Sequence, residues 1–164
     1  MANYYPLAAA NEWQYKQKDG NTYVNKVTAA NGNGFVMHNS AANTSSVVQT
    51  DGNIITTDAL EACNFQRLLA HDLQTGESWE IKFKANGLDS ILIMTVKETD
   101  GNKEVEGKSY NNVLFIEAEN KIVMNGNLMP LNFFTQYYYA DGVGLILTTS
   151  SAGDSHSLIA YKLH

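Results

Sequence analysis

Four histidines, His38, His71, His156 and His164, and one cysteine, Cys63, carry all the imidazole and thiol chemistry of the chain. No two histidines have the His-x-His or His-x-x-x-His spacing that brings two rings to one metal ion, so no metal centre is expected. A single cysteine excludes an intramolecular disulfide and a cysteine-rich zinc site; in an apolar setting it reads as a small buried hydrophobe. His71 and Asp72 are adjacent, but neighbours on a strand point to opposite faces, so the carboxylate would not orient that imidazole. Asp154-Ser155-His156 holds the residue types of a hydrolytic triad within a Gly/Ser-rich turn. There is no Gly-x-Ser-x-Gly elbow to present a nucleophile. The expectation is a protein without catalytic residues, cofactor or metal.

The sequence Asp-Gly-Asn occurs at 19–21, 51–53 and 100–102. Calcium loops place Asp and Asn at alternating positions and end on a bidentate glutamate. Glu104 and Glu106 follow the third copy, but the preceding acidic ligands are missing, and all three copies read as hairpin turns. Gly142-Val143-Gly144 has no lysine after it and does not open a helix, so it is not a phosphate loop. Aromatic side chains remain: nine Tyr, six Phe and two Trp. Tyr and Trp offer apolar area with one hydrogen-bonding tip, which suits a concave binding surface as well as a sheet interior. The candidate ligand-binding residues are therefore the one-face aromatics Trp13, Tyr15, Trp79, Phe83, Tyr137 and Tyr139.

Strands must position them. Ser78 to Lys84 alternates strictly, with Trp79, Ile81 and Phe83 on one face and Glu80, Lys82 and Lys84 on the other. Glu12 to Lys18 repeats the pattern with Trp13 and Tyr15, and the two segments, 66 residues apart, resemble a duplicated strand-turn-strand unit. Ile91 to Val96 and Val113 to Ile116 are apolar on both faces and read as central strands covered on both sides. Asp-Gly and Asn-Gly pairs separate these segments and favour the tight turns that join paired strands. Thr135 to Ser150 reads as a strand, a kink at Asp141-Gly142 and a second strand. Asp58 and Glu61 have capping-box spacing and predict one short helix from Asp58. The fold class is all-β, or β-rich with one short helix: an antiparallel barrel or half-barrel with lipocalin-like or sandwich-like curvature, in a single domain over 1–164.

At 164 residues, 44% hydrophobic and 17% charged, the chain can bury a substantial core. A net charge of −6 with no basic cluster argues against nucleic acid as a partner. No stretch approaches the roughly 18 apolar residues of a transmembrane helix. The location is extracytoplasmic, in the periplasm or at the cell surface, if an export signal was trimmed, and cytoplasmic otherwise.

Three motifs occur in order: "YYPLAAANEWQYKQKDG" (4–20), "LQTGESWEIK" (73–82) and "YYYADGVGLI" (137–146). Together they resemble a family of uncharacterised exported bacterial proteins and lipoproteins. That family opens on Tyr/Phe-Pro-Leu and Gly-Asn-x-Trp, starts a central strand at Gly-Asp-Ser-Trp and closes on Tyr-Tyr-Ala-x-Gly-Val-Gly-Leu. This chain departs at Ala10, where the family has glycine, and at Glu77, where it has aspartate; the segment 104–119 lacks the family's proline. The resemblance implies export, often with a lipid anchor upstream, and a β-rich fold; it implies no activity. Two functions follow as expectations. One is a noncatalytic extracytoplasmic domain binding a hydrophobic or glycan-like small molecule. The other is a structural or assembly module of the cell envelope, with an envelope protein as partner.

Overall fold

Turn chemistry and alternation produce one continuous antiparallel meander. The computed structural model describes residues 1–164 and contains twelve strands and no helix. The first six are β1 (Glu12–Gln17), β2 (Thr22–Asn31), β3 (Gly34–Asn39), β4 (Thr44–Asp51), β5 (Ile54–Thr57) and β6 (Gln66–Ala70). The second six are β7 (Ser78–Ala85), β8 (Leu88–Val105), β9 (Lys108–Met124), β10 (Asn127–Ala140), β11 (Gly144–Ser150) and β12 (Ser155–Lys162). Consecutive strands pair except β6 with β7, and β1 pairs with β12, so β6 and β7 are the two sheet edges. The sheet curls into a nearly closed barrel whose seam lies between those two edges.

Several hairpins follow from local sequence. Asn86-Gly87 and Asn125-Gly126 both have positive φ, at 52° and 78° and at 53° and 77°. That pair of angles is the tight turn whose twist matches the flanking strands. The third Asp-Gly-Asn is different: Asp100 (φ 54°) and Gly101 lie inside β8, where the register against β9 shifts, and form a bulge instead of a hairpin. Beyond it the β8–β9 hairpin continues as an arm. Its tip residue Glu106 meets Lys16 of β1 at 3.1 Å.

Inward side chains from all around the barrel make one core, including Trp13, Val27, Ile55, Leu69, Ile81, Leu114, Ile116, Ile146 and Leu158, each at most 2% exposed. The second apolar face of β9 is covered too. Phe115 stacks on Tyr138 at 4.5 Å, and Lys103 of the arm lies 4.6 Å over the Tyr138 ring.

The short helix expected from Asp58 is absent, and residues 58–65 form the β5–β6 loop. The capping residues are engaged elsewhere. Asp58 accepts from the backbone N–H of Val47 at 2.8 Å and of Cys63 at 3.2 Å, and Glu61 accepts from the N–H of Lys84 at 3.1 Å. Cys63, at φ 62°, lies in the left-handed region that ends a helix, and it is exposed instead of buried. Two bonds to other strands, from Val47 and Lys84, and one within the loop outweigh a local helical preference in a segment this short.

Candidate functional site

The antiparallel meander puts alternate connections at opposite ends of the barrel. One end is closed by residues 1–11. Asn3 donates its N–H to Asp141 Oδ1 at 2.7 Å and accepts from the Gly142 N–H at 2.8 Å. Tyr4 donates its N–H to His71 Nδ1 at 3.2 Å, tying the segment to the β6–β7 loop. Asn11, only 1% exposed, is satisfied by donating to Pro6 O at 2.9 Å and accepting from the His164 N–H at 2.6 Å. Below this cap Tyr5 enters the barrel, edge-on to Trp13 at 6.0 Å and tilted against Tyr139 at 6.3 Å. Burial pushes the Tyr5 phenol up to about 12 and raises Tyr15 and Tyr139 well above the ordinary tyrosine value. These phenols are neutral packing groups at physiological pH.

The other end contains a cavity of about 530 Å³. Tyr5 and Tyr137 are lining groups that reach it from the capped half, and its apolar walls include Met37, Val48, Leu68, Ile81, Leu92 and Met94. Polar groups line it as well: Asn25 and Asn39, joined by a hydrogen bond of 2.9 Å, with Thr44, Ser45, Ser46 and Gln66. The β5–β6 loop adds Asp58 and Leu60. Asp58 is the only ionisable acid or base among the lining residues apart from the tyrosines, and both its oxygens already accept backbone N–H groups. The volume falls in the range that holds a small organic ligand.

The seam borders this cavity. Between the two sheet edges, side chains replace the missing ladder. Trp79 donates from Nε1 to Arg67 O at 3.0 Å, Asn64 donates to Lys82 O at 3.0 Å, and Gln66 Oε1 accepts from the Lys82 N–H at 3.1 Å. The Arg67 guanidinium lies 4.6 Å over the Trp79 ring, while its Nε is buried without a partner. These contacts also cover the unpaired strand edges that a second chain would otherwise use.

The structure separates the six aromatics singled out by sequence. Trp13, Tyr15 and Tyr139, at 2–3% exposure, belong to the packed core. Trp13 donates to Val143 O at 2.6 Å, and Tyr15 donates to Leu145 O at 2.7 Å. Trp79 stands at the seam, and half-buried Phe83 lines a shallow groove beside it with Glu61, Asn64 and Lys84. Tyr137 alone of the six lines the cavity. Alternation identified the inward face but not how far along the barrel each ring sits; the aliphatic and Met wall and the Asn/Ser/Thr lining carried no separate signal.

The remaining chemistry is dispersed. His156 Nδ1 is 2.7 Å from Tyr23 OH, and His38 Nε2 is 3.2 Å from Asn43 Oδ1. No three His, Cys, Asp or Glu side chains converge as a metal site would require. No family model matches the sequence, and no curated protein matches it. The fold is similar to that of a candidate exported protein with a YmcC-like fold from Bacteroides fragilis, at TM-score 0.61 and 9% identity, over 99% of this chain and 100% of that one. The hypothetical lipoprotein YmcC from Escherichia coli aligns at TM-score 0.48 and 9% identity, over 93% of this chain and 85% of that one. The likeness to the Bacteroides protein establishes a YmcC-like fold for this chain.

Proposed function

We propose that this protein is a noncatalytic, extracytoplasmic binding module for an amphiphile with an apolar chain and an uncharged, hydroxylated head. The cavity carries this reading. Its aliphatic and Met walls suit a hydrocarbon chain, and its Asn, Ser and Thr groups suit hydroxyls of a sugar or glycerol. No lysine or arginine lines it, and Asp58 would repel an anionic head. The extracytoplasmic placement is supported by the fold shared with the candidate exported protein.

Calorimetric titration with monolauroylglycerol and with laurate tests the reading. The neutral amphiphile is expected to bind with one-to-one stoichiometry and more tightly than laurate at neutral pH. Leu68→Trp, which fills the cavity from a half-buried position, is expected to abolish binding without unfolding the barrel. Equal binding by the folded Leu68→Trp variant, or no binding by the wild type, would contradict it.

A further inference from the structure

The sheet does not stop at the cavity mouth. Register links Phe83 to Ser90, Ser90 to Ile122 and Ile122 to Met129, one row beyond Ile81 and Leu92 of the cavity wall. The β7–β8 and β9–β10 hairpins therefore continue as an overhang. Leu88, Met124, Leu128, Met129 and Leu131 at its end are 43–48% exposed. Apolar groups occupy both faces, because Met124 and Met129 lie on the Ile122 side while the Leu128–Val123 pair lies on the other. From Ile122 to Phe134 there is no Asp, Glu, Lys, Arg or His, in a chain of net charge −6.

Three features decide what covers this tip. A protein partner would shield one face and leave the other apolar face wet, whereas lipid surrounds both. The outer edge of β10 is a poor template for another strand: Pro130 lacks an N–H, and the register breaks between Pro130 and Phe133. An uncharged segment matches hydrocarbon and neutral headgroups, and its three asparagines, Asn125, Asn127 and Asn132, suit the polar interface at shallow depth. We infer that the β9–β10 hairpin tip docks the open end of the barrel on a lipid bilayer through apolar, charge-independent contact. This goes beyond the ligand reading and does not depend on the cavity being filled.

The test is flotation of the full chain with phosphatidylcholine vesicles, with and without phosphatidylglycerol, at low and high salt. Wild type is expected to float equally in all conditions. The double variant Leu128→Asp/Met129→Asp, altered only at exposed positions, is expected to partition at least about tenfold more weakly with an unchanged circular dichroism spectrum. Leu68→Trp is expected to float like wild type, which separates docking from cavity binding. The inference is overturned if wild type does not float, if the double variant floats equally well, or if flotation requires the anionic lipid and vanishes in salt. A wild-type dimer in light scattering that the double variant converts to monomer would overturn it in favour of a second copy.

Discussion

The Trp13 indole lies against Gly144: a Cβ built on that glycine would sit 3.0 Å from Trp13 Nε1, and Gly144 has φ +112°. The indole donates to the carbonyl of the preceding residue, Val143, so the start of β11 and the inward ring of β1 fix each other. Gly144→Ala introduces both a backbone strain and a clash with a buried ring, and is expected to cost about 2–3 kcal/mol. Gly142→Ala, at φ +75° with nothing near the added methyl, is expected to cost only about 1 kcal/mol. Denaturant unfolding of both variants checks the difference; equal losses would show that the Trp13 contact is immaterial.

Ala10 is the one alanine at positive φ, 71°, on an exposed corner before β1. Its N–H donates to Val27 O at 2.9 Å, so the conformation is held from outside the residue. Ala10→Gly removes the strain and is expected to stabilise the fold by up to about 1 kcal/mol, less the greater freedom of glycine in the unfolded chain. A lower unfolding midpoint for this variant would contradict the assignment.

His71 is pulled below its usual value chiefly by burial, against Asp72 and Asp141, which pull upward. Its Nδ1 accepts the Tyr4 N–H, so protonation removes an acceptor from the cap. A depressed folded value means the unfolded chain binds the proton first. The contribution is complete above the unfolded value of about 6.5 and fades as pH falls through the folded value. Between neutral and mildly acidic pH, wild type is expected to lose stability faster than His71→Gln; parallel melting-temperature curves would refute this.

The seam is expected to be the least protected part of the barrel wall. Asn64→Ala with Gln66→Ala removes the side chains bonded to the carbonyl and N–H of Lys82. Hydrogen exchange at Lys82 is expected to accelerate, with a global loss of about 1–2 kcal/mol. Amides of the β1–β12 ladder are expected to keep their protection. Uniform acceleration would mean that the seam is not a separate element.

Much of this architecture was readable from residue order. The Trp79-Ile81-Phe83 alternation fixed the inward face of β7, and Asn-Gly and Asp-Gly pairs marked hairpins because their φ requirements are local. The kink at Asp141-Gly142 separated β10 from β11 where expected. The Asp58 loop departs from its capping-box signal because Asp58 caps Val47 of β4 and Glu61 caps Lys84 of β7, partner choices that only the closed barrel creates. Asp100-Gly101 reads from sequence as a hairpin and forms a bulge, because turn and bulge use the same conformations. The cavity is legible in the sequence only as an inward face. Its position depends on Tyr5, which the N-terminal segment delivers, so that packed aromatics fill one half and leave the other open.

Entry of an apolar chain into this open half would be reported directly by the five methionines. Met37 and Met94 line the cavity, whereas Met124 and Met129 lie on the overhang. With methyl-labelled methionine, titration of monolauroylglycerol below its aggregation threshold is predicted to shift the Met37 and Met94 signals saturably and leave Met1, Met124 and Met129 in place. Stationary Met37 and Met94 signals, or movement of the overhang methyls alone, would contradict it.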